Sequence, residues 1–263
     1  MKQYNKYNEY DSNQKREFVQ EKLKSKKELF CVKNEMDDLV ITYLPYNLDF
    51  VYIPEGEYDK GLSLKERQQA KRINKDVIFE NDELELEKGV HVSDFLVTRT
   101  PILNSFVNQH IRINYYTGEE NFAAYIKKEN VDFLCQKLGL RLPYEAEWEY
   151  FTRAGSTDLF AFGKELPNDD ELEKWLCFDF SDLSKLNKNK FGVYGIYTGE
   201  WCGDYYKKNN CSLATDDFVI KGGGAYFWPW QSDEWIWCMS AMRMSSDGLI
   251  DGECGFRLVY DLN

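Results

Sequence analysis

The side chains best suited to metal or nucleophilic chemistry in this 263-residue chain are two histidines and seven scattered cysteines. With only His91 and His110, one chain cannot build a metal site from three imidazoles. The cysteines form no CxxC pair, which is typical of a reduced, intracellular protein. Neither a GxGxxG nor a GxxxxGK motif is present, so the sequence indicates no phosphate-binding loop.

Aromatic side chains are concentrated in one stretch near the C-terminus. Residues 226–237 read YFWPWQSDEWIW, with polar residues between the rings. Tyr and Trp give large, stiff contact surfaces and dominate binding hot spots. Trp235 and Trp237 would share one face of a strand. We therefore expect about half of these aromatics in the core and the rest on a ligand-facing surface.

The composition indicates an acidic, folded protein. Hydrophobic residues make up 43% of the chain, and 45 Asp and Glu against 33 Lys and Arg give a formal net charge of −12. That charge argues against nucleic-acid binding, which needs a basic surface. No apolar run is long enough for a membrane span, and no signal peptide is recognisable. We expect a cytoplasmic protein that binds neither nucleic acid nor membrane.

The N-terminal region differs from the rest in its high content of Lys and Glu. We predict a helical extension at 1–38, with Asp11 and Ser12 capping a helix that runs through Phe18, Leu23 and Phe30. Two interpretations stay open: a solvated helix packed by one thin stripe, or a segment that docks a partner. Residues 39–263 are predicted to form one continuous domain.

Hydrophobic periodicity predicts short strands followed by amphipathic helices. The strands are predicted at 39–43, 50–53 and 91–97, and the helices at 64–73, 102–111, 131–138 and 144–153. After Gly155 we expect loops and short strands with little further helix.

Three segments in order carry a family resemblance. Residues 141–150 read RLPYEAEWEY, residues 191–205 read FGVYGIYTGEWCGDY, and residues 220–226 read IKGGGAY, followed by Arg243 and a terminal Gly-Phe-Arg at 255–257. Residues 51–56 and 91–95 match further motifs more weakly. Together these segments make the sequence resemble the formylglycine-generating enzyme, or sulfatase-modifying factor, family over about residues 50–260. The resemblance implies an α+β, C-type-lectin-like fold that is rich in loops and has few regular elements.

The resemblance also implies where catalytic groups should lie. The oxidising members of the family bind copper through two cysteines five residues apart, but Phe227 occupies the first position here and only Cys238 falls in the stretch. Cys238 with Cys254, and Cys202 as a further ligand, remains an alternative copper site. The iron-dependent branch uses three histidines, which this chain lacks. No Ser-His-Asp or Cys-His arrangement is indicated either.

Calcium is a second cofactor that the resemblance raises. Asp179, Glu200 and Asp204 are the candidate ligands, but a hard cation needs more oxygens than this set supplies. We favour Glu200 as a hydrogen-bonded structural carboxylate.

The functional expectation is a non-catalytic recognition module without a cofactor. Ligand-binding variable proteins use the same scaffold, and their varied surface lies in the C-terminal segment. We predict that a protein or peptide ligand contacts Tyr226, Phe227, Trp228, Trp230, Gln231, Asp233, Glu234, Trp237, Arg243 and Ser245. The alternative is a metal-dependent oxidoreductase of the same family with the displaced site at Cys238 and Cys254.

Overall fold

The computed structural model describes residues 2–35, 38–75, 84–115, 117–176, 179–207, 216–223 and 238–262. The helices in these ranges are α1 (Lys2–Glu9), α2 (Ser12–Lys22), α3 (Leu64–Ile73), α4 (Asn104–His110), α5 (Lys128–Leu138), α6 (Glu145–Arg153) and α7 (Asp169–Leu176). The strands are β1 (Phe30–Glu35), β2 (Asp38–Tyr43), β3 (Leu48–Ile53), β4 (Gly56–Lys60), β5 (Glu87–Val92), β6 (Phe95–Thr98), β7 (Glu200–Tyr205), β8 (Phe218–Lys221), β9 (Arg243–Ser246) and β10 (Val259–Asp261).

The largest sheet is antiparallel and has the strand order β1-β2-β3-β6-β10. Its strands are rich in β-branched and aromatic residues, as the sequence predicted for β2 and β3. Val97 of β6 pairs with Val51 of β3 on one side and with Val259 of β10 on the other. The C-terminal strand therefore closes onto strands from the first half of the chain.

The strand predicted at 91–97 is two strands in different sheets. β5 ends at Val92 and pairs with β4, whereas β6 begins at Phe95 in the large sheet. Between them, the buried Asp94 carboxylate accepts a hydrogen bond from the Tyr52 hydroxyl at 2.9 Å and pairs with Lys22 Nζ at 2.7 Å. The break places this carboxylate where its two partners can reach it.

The predicted N-terminal helix is correct at its start and wrong at its end. Asp11 caps α2, and the Gln14 side-chain oxygen accepts a hydrogen bond from the Asp11 backbone N–H. The helix stops at Lys22, however, and Phe30 opens β1, whose six residues pair with β2. Part of the predicted 1–38 extension is therefore a strand of the large sheet.

The four helices predicted after residue 60 are present, and three of them have shifted ends. Helix α3 matches its prediction and begins with a Ser63–Glu66 capping box. Helix α4 begins two residues later than predicted because the Ile102 carbonyl accepts the Ala124 N–H and not the N–H of a residue in the helix. The sequence missed α7, which is preceded by Asn168, whose side chain accepts from the Glu171 N–H at 3.0 Å.

Two large hydrophobic cores lie on opposite faces of the small sheet β7-β8-β9. The first core includes Trp148, Phe151, Val193, Cys202, Val219 and Cys238, and the second core includes Val19, Phe50, Trp201, Ile220, Cys254 and Phe256. Side chains alternate along a strand, so Trp201 and Cys202 enter different cores. No described helix combines the length and apolar character needed to cross a bilayer.

Candidate functional site

Helix α6 carries two carboxylates, Glu145 and Glu149, one turn apart on the same face. The Glu147 side chain accepts from the Tyr144 N–H at 2.8 Å and so fixes the start of the helix. Ala154 ends it in the left-handed conformation. Both Glu145 and Glu149 are buried, and α6 packs against β4, β5, β7 and β8. Their face is therefore directed into the protein.

The small sheet supplies the opposing positive charges. Lys221 of β8 pairs with Glu200 of β7 on one side and with Arg243 of β9 on the other. Lys221 shares its strand face with Val219, which belongs to the first core next to α6. The register of three strands thus brings Lys221 and Arg243 to the acidic face of the helix.

Lys221, Glu149, Arg153 and Glu66 form a buried chain of ion pairs. Lys221 Nζ lies 3.2 Å from one Glu149 oxygen, and Arg153 Nε lies 2.9 Å from the other. Arg153 also pairs with Glu66 at 2.8 Å, and the Gly61 N–H donates to Glu149 at 2.8 Å. Removing Glu149 would leave the buried Lys221 ammonium without its carboxylate, so these residues hold the site in one arrangement.

Burial and ion pairing shift the pKa values of these charged groups in opposite directions. Burial alone would raise the pKa of Glu149, but Lys221 and Arg153 outweigh it, so the pKa lies below its ordinary value. Burial also lowers the pKa of Lys221, and the charge of Glu149 opposes that effect. Glu149 is consequently a fixed negative charge at neutral pH.

A cleft of about 330 Å³ lies beside this network, between the end of β4, α6 and the start of β9. Glu145 forms an ion pair with Arg243 across the cleft, with Nε and Oε1 2.9 Å apart, and Lys60 Nζ lies 3.5 Å from the other oxygen. The Arg243 guanidinium also lies over the Tyr206 ring, 4.4 Å from its centre. The cleft therefore presents ordered charges of both signs, which suits recognition of a polar ligand group.

Glu200 is a structural carboxylate, in line with the favoured interpretation. Arg257 holds it with Nε 2.8 Å from each carboxylate oxygen, and Trp148 Nε1 donates to it at 2.9 Å. Arg257 also donates to the Tyr194 and Gly195 carbonyls. Both Glu200 and Arg257 are fully buried, so this pair locks the C-terminal strand region to the rest of the fold.

The three calcium candidates have separate environments. Glu200 is occupied by Arg257, Asp204 accepts the Glu145 N–H at the start of α6, and the exposed Asp179 accepts the Ser181 N–H at 2.9 Å. Within the residues that the structure describes, no group of three or more His, Cys, Asp or Glu side chains is arranged to hold a metal ion. We therefore derive no step through calcium.

The cysteines of the alternative copper site lie in different cores. Cys238 belongs to the first core and Cys254 to the second, while Cys202 is buried in the first. Burial raises the pKa of all three thiols, which disfavours the thiolate that a soft metal requires. The described surroundings of Cys238 and Cys254 do not fit a shared copper ion, so no redox step is derived from them.

The histidines have ordinary surroundings. His91 lies in β5 with its Nε2 3.8 Å from a Glu55 oxygen. His110 is the last residue of α4, and its ring lies 4.4 Å from that of Phe106, centre to centre. Burial lowers the pKa of His110, with Lys137 adding to the effect. Both positions agree with a structural role.

Of the ten predicted ligand-binding residues, the structure describes Arg243 and Ser245. Arg243 lines the cleft, and Ser245 is exposed two residues further along the same strand face. The other eight are Tyr226, Phe227, Trp228, Trp230, Gln231, Asp233, Glu234 and Trp237, and they lie outside the described residues. Their assignment remains a prediction.

Sequence reasoning identified Arg243 among the charged residues of the cleft and missed the others. Glu145 and Glu149 carried a usable signal, because their spacing of four puts them on one face of a helix. Lys60 and Lys221 carried none, since each lies far from its partner in sequence and reaches it through strand pairing.

Comparisons with known proteins agree with this architecture. The sequence model described as "Sulfatase-modifying factor enzyme 1-like domain" matches residues 45–262. PvdO from Pseudomonas aeruginosa superposes with a TM-score of 0.55 at 18% identity, over 87% of this chain and 97% of that one. Treponema denticola variable protein 1 superposes with a TM-score of 0.54 at 15% identity, over 88% and 98%. No curated protein matches the sequence significantly.

The family match spans most of the chain, and the chain therefore belongs to the sulfatase-modifying factor family. Its fold is the mixed α and β, C-type-lectin-like fold of the formylglycine-generating enzymes. The resemblance stated from the motifs is thus confirmed for family and fold.

Proposed function

We propose that this chain is a non-catalytic recognition module that binds a protein or peptide ligand. The aromatic segment 226–237 and the adjoining cleft would form the contact surface. The proposal concerns the residues between β8 and β9, where the aromatics are concentrated.

The observation that carries the proposal is the pairing of Lys221 with Arg243. These residues are neighbours in the sheet, so the two strands that flank the intervening stretch are fixed relative to each other. Lys221 is held by Glu149 and Arg243 by Glu145, so both ends of the segment are fixed. Many proteins position their binding residues on a connecting segment that a rigid scaffold supports.

The position of the cleft supports the same proposal. Ala241 and Arg243, at the C-terminal end of the intervening stretch, both line it. Ligand contacts with the aromatic residues and with the ordered charges of the cleft can then occur together. Aromatic anchors beside polar groups are the usual composition of a binding hot spot.

The test is capture of a partner from native lysate by the immobilised full chain. Trp228→Ala and Trp230→Ala should each lose the captured partner while the melting temperature changes little. Phe133→Ala is the control, because Phe133 is an exposed aromatic on α5, outside the proposed surface. A large fall in the melting temperature of both tryptophan variants would make these residues part of the core and contradict the proposal.

The oxidoreductase alternative predicts a different result in the same preparation. Protein purified without chelators would contain stoichiometric copper, and Cys238→Ser would lose it. We place this alternative second because the described thiols lie in separate cores with raised pKa values.

A further inference from the structure

The second-core face of the small sheet continues outward into a row of exposed and half-buried apolar side chains. We call it the aromatic ridge, and it consists of Tyr144, Tyr205, Phe218, Leu249 and Ile250. Leu249 is 72% exposed and Tyr205 is 55% exposed, values unusual for large apolar groups near a sheet. A contiguous exposed patch of this kind marks an interaction site more often than isolated apolar residues do.

Tyr205 and Phe218 are in direct contact, and the backbone places the other members of the aromatic ridge near them. The Tyr205 and Phe218 rings are stacked with their centres 5.2 Å apart. Tyr144 lies against β7 at Gly203, where a Cβ would be 3.6 Å from its ring. Gly248 lies next to Phe218, since a Cβ at this glycine would be 3.2 Å from the Phe218 ring. Leu249 therefore begins directly beside Phe218.

Six carboxylates lie near the aromatic ridge, either in sequence or through the residues they bond. Asp216, Asp217, Asp247 and Asp251 are within two residues of a ridge member, Asp132 pairs with Lys128 beside Phe218, and Glu253 accepts the hydroxyl of Ser246, which pairs with Phe218 in the sheet. The neighbouring lysines are already engaged, since Lys127 pairs with Asp251 at 3.1 Å and Lys128 with Asp132. Burial raises the pKa of Glu253, so this carboxyl contributes less negative charge than the exposed rim aspartates do. With six carboxylates against two lysines, the rim has a net negative charge.

The aromatic ridge already holds cations at two of its rings, since the Arg141 guanidinium lies 4.6 Å from the centre of the Tyr144 ring. The Lys128 ammonium lies 4.3 Å from the centre of the Phe218 ring, within the range of a cation–π contact. The Tyr205 ring, stacked on Phe218 and more exposed, offers a similar face to an incoming ammonium or guanidinium.

We propose that the aromatic ridge and its acidic rim bind a basic, amphipathic segment of a partner protein. Leucine-like side chains of the partner would cover Leu249 and Tyr205, and its Lys or Arg residues would face the rim carboxylates. This surface lies on the face of the sheet opposite to Lys221 and Arg243, so the inference is independent of the proposed function.

A second copy of the chain fits this surface poorly. The chain has a net charge of −12, and pairing two copies through the aromatic ridge would bring two acidic rims together. The negative rim would attract a basic partner, whereas it would repel the rim of a second copy.

The test uses a fluorescently labelled peptide of alternating Leu and Lys and measures anisotropy against the full chain. Binding should weaken as salt is raised, because the rim charges are exposed. Leu249→Ser should weaken binding by about tenfold or more, since it removes a contact that would be buried in the complex. Leu64→Ser is the matched control, because Leu64 is 80% exposed on α3, and it should bind as the unmodified chain does.

Two further peptides separate the apolar and the charged contributions. A Gly-Lys peptide and a Leu-Glu peptide should both bind much more weakly than the Leu-Lys peptide, and Asp247→Lys should weaken binding of the latter. Equal affinity of Leu249→Ser and the unmodified chain would overturn the inference, as would equal binding of either control peptide. Self-association in sedimentation that Leu249→Ser abolishes would assign the surface to a second copy and overturn it as well.

Discussion

Gly222 is the residue that lets the chain leave β8 beside the first core. Its φ of +80° is left-handed, and a Cβ there would overlap the Ile196 carbonyl oxygen and lie 2.8 Å from Trp148 Cζ2. Both neighbours are buried. The position therefore has two requirements, an unusual backbone angle and the absence of a side chain.

Gly222→Ala should lower the free energy of unfolding by more than Gly139→Ala does. Gly139 also has a positive φ, +67°, but nothing lies within 4 Å of a Cβ there. We expect about 1–2 kcal/mol for the control from backbone strain alone, and a further ~1–3 kcal/mol at Gly222 from crowding. Urea denaturation of both variants measures the difference, and equal losses would contradict the close packing described for Gly222.

At the same scale, the sequence identified individual residues only where their neighbours in sequence decide their role. The Glu145–Glu149 spacing is enough by itself to define one face of a helix. The role of Lys221 depends on strand register and on a helix residue 72 positions away, which no local pattern indicates. The sequence favoured a structural role for Glu200 because too few calcium ligands accompany it. The structure adds the physical reason, which is that Glu200 forms a buried ion pair with Arg257.

Among the elements, α2 is attached to the fold by a charge pair as well as by apolar contacts. Lys22 at its last turn pairs with the buried Asp94, and Val19 and Leu23 are buried in the second core. Tyr7 of α1 packs on Tyr52, with ring centres 5.0 Å apart. The two N-terminal helices therefore use their apolar faces within this chain.

Lys22→Ala should destabilise the protein, whereas Lys24→Ala should not. Loss of Lys22 leaves Asp94 buried with the Tyr52 hydroxyl as its remaining described partner, and we expect a cost of about 1–3 kcal/mol. Lys24 pairs with Glu21 on the surface, where such pairs contribute about 0–1 kcal/mol. Thermal unfolding of the two variants compares them directly, and an unchanged melting temperature for Lys22→Ala would mean that α2 is not held at this point.

The predictability of the elements follows the range of the interactions that define them. Helix α3 has its cap and its apolar positions within about ten residues, and its bounds were predicted correctly. Burial alternates from His91 to Asp94 only, and every residue of Phe95–Thr98 is buried. The strands separate at Asp94, whose partners Tyr52 and Lys22 are distant in sequence. Phe30 fits a helical stripe, yet pairing with β2 makes it a strand residue. Tertiary contacts decided each of these errors.

For the molecule as a whole, the small sheet couples two cores through adjacent residues. Val219 enters the first core and Ile220 the second, one peptide bond apart. Neither core can lose its packing on this strand without disturbing the other, so we expect cooperative unfolding.

Val219→Ala and Ile220→Ala should therefore lower the same unfolding transition. The expected loss is about 2–5 kcal/mol for Ile220→Ala and less for Val219→Ala, which removes fewer buried atoms. Tryptophan fluorescence and circular dichroism should give coincident curves for both variants. Two separable transitions, each sensitive to only one substitution, would mean that the cores unfold independently.

The pairing of Lys221 with Arg243 also has a practical consequence. Because Lys221 and Arg243 pair across the sheet and each is held by a glutamate of α6, the two strands that flank the interval are fixed relative to each other. A library of peptides grafted at 224–237, with Gly222 and both charged residues kept, would find the sequences that leave the melting temperature unchanged, and these would make the chain a display scaffold.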